Sequence, residues 1–143
     1  MIVLAGLPGS GKSTWALARK AVVLSSDAIR LLLSGDETDQ SIHRAVFATM
    51  RYLLRQRLAL GAKVTILDAT HLERKWRAPW VKLAARYGAR VEAVYFDTPL
   101  EECLKRNQAR LRKVPEAAIR AMAAKVERPA VEEGFARVRT IRA

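Results

Sequence analysis

Gly6-Leu7-Pro8-Gly9-Ser10-Gly11-Lys12-Ser13-Thr14 follows a four-residue apolar run, Ile2-Val3-Leu4-Ala5, and leads into Trp15-Ala16-Leu17-Ala18, a stretch that reads as helix. Strand, GxxxxGK[ST] and helix in this order are the context that a phosphate-binding loop requires. Glycines let the backbone close around an anion without Cβ clashes. Successive N–H groups form a nest, and the helix that starts inside the motif turns its positive end toward the phosphates. On this reading Gly9, Ser10, Gly11, Lys12, Ser13 and Thr14 bind the nucleotide. Lys12 brings a mobile positive charge to the β- and γ-phosphates, and Ser13 offers a hydroxyl to Mg²⁺. A glycine-rich strand–helix turn with no ligand would need neither the Lys-Ser pair nor this spacing.

The 143 residues suffice for one domain with one core, and half of them are apolar, so no disulfide staples are needed. The formal net charge is +12, with Arg supplying 18 of the 26 basic residues. Such an excess attracts polyanions and makes nucleic acid a natural partner class. The alternative is an Arg-rich solvated surface that reflects codon usage alone. A single cysteine, Cys103, excludes an internal disulfide framework and fits a reducing, cytoplasmic setting. The apolar start is too short for a signal peptide or a spanning helix, and no later run is long enough to cross a bilayer. No repeat, linker or low-complexity tract is present. The chain therefore reads as one domain over residues 1–143, a bare catalytic module with no membrane association and no obligate protein partner evident.

Ala21-Val22-Val23-Leu24-Ser25-Ser26 predicts a buried strand covered on both faces, and Asp27 to Leu33 a helix stopped near Gly35. Asp27 then sits at the carboxyl end of a strand, where open α/β sheets place ligand chemistry, with Arg30 one turn further on. The same spacing suits an Asp helix cap with an ordinary surface ion pair. Gln40 to Leu60 predicts a long helix with Val46 or Phe47, Met50, Leu54 and Leu58 buried and with Arg44, Arg51 and Arg55 on a solvated face. Lys63 to Leu67 predicts a strand closing on Asp68, the place where an acid in P-loop proteins holds Mg²⁺ directly or through Ser13 and water. Ala69 stands where an ATPase usually carries a water-activating Glu, which argues for an acceptor other than water. His71 is given no role beyond a contact with substrate. Leu72 to Tyr87 predicts a helix with Trp76, Trp80, Leu83 and Ala84 as its core stripe, and with Pro79 kinking it or shifting its start. Residues 90–96 predict a strand, Thr98-Pro99-Leu100-Glu101 a capping box, and Cys103 core filler. Lys105 to Lys113 is the most basic stretch, in which Arg106 and Arg110 point the same way from one helix, either closing over a nucleotide or lying on a solvated face. Pro115 starts a further helix with Ile119, Met122 and Val126 on one face, and 137–141 is a last short strand. The sum is an α/β, three-layer P-loop NTPase/kinase fold with a five-stranded, mainly parallel sheet and a helical lid at about 105–128.

Over nearly its whole length the chain resembles the kinase domain of the 5′-hydroxyl polynucleotide kinases, of the phage and bacterial type and of the animal DNA-repair type. The resemblance lies in Gly-Leu-Pro-Gly-Ser-Gly-Lys-Ser-Thr-Trp at 6–15, Ser-Ser-Asp-Ala-Ile-Arg at 25–30 and Leu-Asp-Ala-Thr-His at 67–71. It continues in Phe96 to Arg110 and in Arg-Pro-Ala-Val-Glu-Glu-Gly-Phe at 128–135. It implies that Lys12 and Ser13 hold the triphosphate of ATP and its Mg²⁺, that Asp27 is the general base for the attacking 5′-OH, and that Arg30 binds the phosphate beside that end. Arg106 and Arg110 are implied as lid arginines on the donor phosphates. Ser26 stands where many relatives have Arg, and His71 where they have Asn. The implied activity is ATP- and Mg²⁺-dependent phosphorylation of 5′-OH ends of DNA or RNA, as in nucleic acid repair. A kinase of a nucleoside, sugar or antibiotic, and a nucleotide-binding regulatory module, are the alternatives.

Overall fold

Alternate residues of the central strands point to opposite sides of one sheet, and the sequence supplies both sides with apolar groups. In the computed structural model, which describes residues 1–111 and 113–142, the strands are β1 (Ile2–Ala5), β2 (Val22–Ser25), β3 (Thr65–Asp68), β4 (Glu92–Phe96) and β5 (Arg137–Ile141). Their order is β2-β3-β1-β4-β5, and every pairing is parallel. The helices are α1 (Lys12–Leu17), α2 (Ser26–Ser34), α3 (His43–Ala59), α4 (Arg74–Arg86), α5 (Leu100–Gln108) and α6 (Glu116–Ala124), with 3₁₀ turns at Gln40–Ile42 and Val131–Glu133.

Val3, Leu24, Leu67 and Ala93 face a core closed by Val46, Met50 and Leu54 of α3 and by Trp80, Leu83 and Ala84 of α4. Leu4, Ile66 and Val94 face the other side, against Ala16 and Trp15. Each fully buried Leu or Ile contributes about 1.5–3 kcal/mol, so the three central strands carry much of the stability. A third cluster of Leu7, Leu72 and Cys103, with Leu100 and Met122 packed on it, seats α5 and α6 beside the phosphate loop. Asn107, itself buried, ties the chain beyond α5. Its amide nitrogen donates to the Val114 carbonyl at 2.7 Å and its amide oxygen accepts from the Val114 N–H at 2.9 Å.

The architecture is as the sequence predicts, and several local readings change. β2 is an edge strand with Val22 45% exposed, because the chain order leaves it only β3 as a neighbour. The long helix opens with a 3₁₀ turn and becomes α-helical only at His43. α4 starts at Arg74 and holds Pro79 in its second turn. Its inward stripe is Arg77, Trp80, Leu83 and Ala84, and Trp76 lies outside at 49% exposure. The capping box before α5 does not form, since Pro99 occupies the cap position and Thr98 bonds elsewhere. Arg112, part of the basic stretch, lies outside the described residues.

Arg77 is fully buried and carries a charge into the core. Its Nε and Nη2 each donate to a different oxygen of Glu133 at 2.9 Å, and Nη1 donates to the His71 carbonyl at 2.7 Å. Glu133 also accepts from the Ala130 N–H at 2.9 Å. Removing one partner of such a pair strands the other charge away from water, at a cost of about 3–5 kcal/mol. Glu133→Gln is therefore expected to lower the unfolding free energy by about 3 kcal/mol or more in urea titrations. A loss below about 1 kcal/mol, the scale of an exposed pair, would contradict this account.

Candidate active site

Because all five strands run parallel, the ends of β1, β2, β3 and β4 open onto one edge of the sheet, and the chain leaves each of them into the same cleft. After β1 the backbone turns through Gly9 (φ 80°) and Gly11 (φ 101°), a left-handed conformation that side chains resist. At Gly9 space is short as well, since a Cβ there would fall 2.6 Å from the Cys103 carbonyl oxygen. Gly11 is the residue before α1, so the loop passes directly into the helix. The Thr98 hydroxyl donates to the Ser10 carbonyl at 2.9 Å and fixes the loop from the α5 side.

Lys12 is 7% exposed, and its ammonium donates to the carbonyls of Gly6 and Leu7 at 2.9 and 2.8 Å. Burial lowers its pKa to about 8, against the raising influence of Asp68. The amine therefore remains largely charged at neutral pH. The Ser13 hydroxyl donates to Asp68 at 2.8 Å. Burial raises the Asp68 carboxyl above its ordinary value, and the Ser13 hydrogen bond and Lys12 oppose the rise. Among the described residues no cluster of three or more His, Cys, Asp or Glu could hold a metal. The Ser13–Asp68 pair is a two-oxygen set of the kind a hard cation uses when phosphates and water complete its shell.

At the end of β2, Ser25 caps α2 by accepting from the Ala28 N–H at 3.2 Å. Asp27 consequently lies in the first turn and is not the cap. Arg30 is 4% exposed; its Nη1 donates to Asp27 at 2.9 Å, and its buried Nε meets no hydrogen-bond partner. A surface pair would not bury the guanidinium in this way. The charge of Asp27 acts on both Lys12 and Asp68, so the two carboxylates and the lysine share one electrostatic site.

From the other side Arg106 reaches the Gly9 carbonyl at 3.4 Å through Nη1 and Glu102 at 3.2 Å through Nε. α5 ends at Gln108, so Arg110 follows the helix and does not share its face with Arg106, contrary to the spacing argument. Both arginines nevertheless line the cleft, together with Gly9 to Thr14, Asp27, Arg30 and Asp68. All the predicted site residues thus meet in one cavity of about 1270 Å³. Pockets for one small ligand run to ~300–1,000 Å³, so this cleft is larger than one such ligand requires.

His71 does not line the cavity. It is 2% exposed; Nδ1 lies 2.7 Å from the Leu4 carbonyl, and Nε2 accepts from the Trp80 indole at 2.9 Å. These partners require the neutral ring with its proton on Nδ1, and burial lowers the pKa to about 4. His71 thus ties the loop after β3 to β1, next to the bond from the Gly6 N–H to the Thr70 carbonyl at 2.9 Å. The sequence reading missed Thr38, Gln40, His43 and Phe47, which line the far wall of the cleft. No motif marks them: Thr38 and Gln40 lie in a loop and a turn without periodicity, and His43 and Phe47 in the first turns of α3, where the spacing offers Phe47 only as an alternative core residue.

A family model described as an AAA domain matches residues 1–129. The L-seryl-tRNA(Sec) kinase of Methanococcus maripaludis is 28% identical over 138 residues, covering 90% of this chain and 53% of that protein. The chain thus spans about half the length of this curated relative. Among solved structures, a chain of the Pnkp1/Rnl/Hen1 RNA repair complex matches with a TM-score of 0.75 at 24% identity, over 87% of this chain and 42% of that one. A gluconokinase from Sinorhizobium meliloti matches with a TM-score of 0.63 at 21% identity, over 99% and 81% of the two chains. The Mycobacterium tuberculosis APS kinase CysC, in complex with AMPPNP and APS, gives 0.61 at 25% identity, over 97% and 87%.

The His71 bracket has a pH signature. The unfolded ring takes up a proton near pH 6.5 and the folded ring only near 4, so below pH 6.5 the unfolded state binds more protons. This contribution to stability is complete above pH 6.5 and is lost as the pH falls toward 4. Urea midpoints measured across that window should fall less steeply for His71→Gln than for the unaltered protein. Equal slopes would show that His71 is not the buried neutral group described here.

Proposed function

The chain belongs to the AAA_33 family of AAA domains and carries the P-loop kinase fold, and from that premise we propose that it transfers the γ-phosphate of ATP to the 5′-hydroxyl end of a DNA or RNA strand. The observation that carries this reading is Asp27, held by the buried Arg30 in the same cleft as Lys12 and Ser13. Asp27 accepts a hydrogen bond from the 5′-OH and then its proton. A bond forms between that oxygen and the γ-phosphorus, the bond to the β–γ bridging oxygen breaks, and ADP and a 5′-phosphorylated strand result. The transition state is loose, so positioning the hydroxyl matters as much as the basicity of Asp27. Arg30, which lines the same cleft, orients the acceptor through its adjacent phosphate.

Gly9 to Thr14 hold the donor phosphates, and Lys12 exchanges its loop carbonyls for phosphate oxygens. Arg106 and Arg110 take up charge that spreads on the transferring group, from a lid at about 105–128. When bound by Ser13 and Asp68, Mg²⁺ supplies further neutralisation of the phosphate oxygens. The net charge of +12 favours a polyanionic acceptor. One relative named above is a kinase of seryl-tRNA, and one structural neighbour belongs to an RNA repair complex. The gluconokinase likeness keeps a small-molecule acceptor as the second reading. No helix among the described residues is long and apolar enough to cross a membrane.

Labelled ATP with Mg²⁺ should mark a 5′-OH oligonucleotide and leave a 5′-phosphorylated one unlabelled; label on a nucleoside or sugar acid alone moves the assignment to small-molecule kinases. Lys12→Ala and Asp27→Ala should each lower kcat at least about a hundredfold. Near-normal turnover in both would defeat the mechanism. KM for the oligonucleotide should also rise steeply between about 50 and 200 mM salt through counterion release. A salt-independent KM would remove the argument from charge.

A further inference from the structure

Beyond Asp27 and Arg30 the cleft wall carries aromatic side chains that phosphoryl transfer does not use. His43 and Phe47 line the cavity, with ring centroids 4.7 Å apart. Trp76 stands edge-on to His43 at 6.0 Å and 76°. Phe47 is rooted in the core by Trp80, at 6.4 Å. Trp76 has no such root: it is 49% exposed, whereas Trp80, one turn along the same helix, is 2% exposed. Its indole N–H donates to Glu73 at 3.3 Å, which fixes the ring without burying it. Basic residues adjoin the patch in the chain, Arg44 beside His43 and Arg74 and Lys75 just before Trp76. Arg44 and Arg74 are exposed, and Lys75, which also pairs with Glu73, places its ammonium 5.1 Å from the Trp76 ring centre.

Resting on the polynucleotide reading above, we propose that His43, Phe47 and Trp76 form a stacking shelf for the terminal base of the acceptor strand, flanked by Arg44, Arg74 and Lys75 for its phosphates. Aromatic faces bordered by cations are what single-stranded nucleic acid binds without regard to sequence, because every base has a π-face. A sugar or sugar acid brings no base to stack, so the shelf's share of binding should vanish when the terminal base is removed. The shelf also keeps the terminal nucleotide beside Asp27, where its 5′-OH must lie. Burial, reinforced by the Arg30 charge, lowers the His43 pKa, so the ring is neutral at pH 7 and serves as a stacking surface without adding a charge beside Arg30.

The test compares Trp76→Ala and Trp76→Tyr with the unaltered protein, using ATP and two 5′-OH oligonucleotides, one ordinary and one abasic at the first nucleotide. Thermal unfolding confirms that the variants fold. Trp76→Ala is expected to raise the KM for the ordinary strand about tenfold or more, with KM for ATP within about twofold, and Trp76→Tyr to restore most of it. The abasic strand should bind the unaltered protein as poorly as the ordinary strand binds Trp76→Ala, and should lose little further in the variant. An unchanged acceptor KM in Trp76→Ala overturns the shelf while leaving the kinase reading in place, as does an equal loss with both strands. Failure of the unaltered protein to phosphorylate any oligonucleotide overturns both.

Discussion

The cleft depends on one buried cation. Arg77 has no access to water, so its charge must be met inside the protein, and Glu133 and the His71 carbonyl meet it. Those two partners come from distant parts of the chain: the loop after β3 and the turn before β5. The guanidinium therefore sets where the loop that follows Asp68 must run. His71 then fastens that loop to β1 through Leu4, and Thr70 fastens it to the first residue of the phosphate loop. A charge placed behind the site thereby positions two of its walls. An apolar side chain in that position would lack the directional bonds that select one path for the loop.

The front of the site has the opposite character. Lys12, Asp68 and Asp27 act on one another across the cleft, and burial draws the first two toward their neutral forms. Each keeps a partner: loop carbonyls for the lysine and, opposing the rise at Asp68, a serine hydroxyl. Interactions of this kind are stronger in a partly desolvated cleft than in water, and they are also easily exchanged for the oxygens of a phosphate. The back of the site holds a geometry and the front holds exchangeable bonds.

Much of the architecture is legible in the sequence because its cues are local. The phosphate loop is set by glycines and a Lys-Ser pair, and the strands by apolar runs bounded by turns. The cues fail where a residue acts against its type. Arg77 takes a core place on α4, so a reading that keeps charges outside shifts the stripe and buries Trp76 in its stead. Thr98 has the look of a helix cap and instead spends its hydroxyl on the Ser10 carbonyl. Ser25, one of two adjacent serines, is the cap that frees Asp27 from that duty. The pairing of Arg106 with Arg110 assumes a helix that continues past Gln108, and the chain leaves the helix there. His43 and Phe47 reach the cleft from the first turns of α3, a placement that only the tertiary structure defines.

The clamp between Asn107 and Val114 has a consequence for how the cleft meets an anion. Arg110 and Lys113 both line the cavity, and both belong to a span whose two ends, seven positions apart, are joined by a pair of hydrogen bonds from one buried amide. An open segment of that length would lose conformational freedom when its cations closed on a ligand, and that loss would subtract from affinity. Here the ends are already tied, and part of the loss was taken when the chain folded. A phosphate that reached Arg110 or Lys113 would meet cations on a chain already tied at both ends by Asn107, with less disorder left to give up.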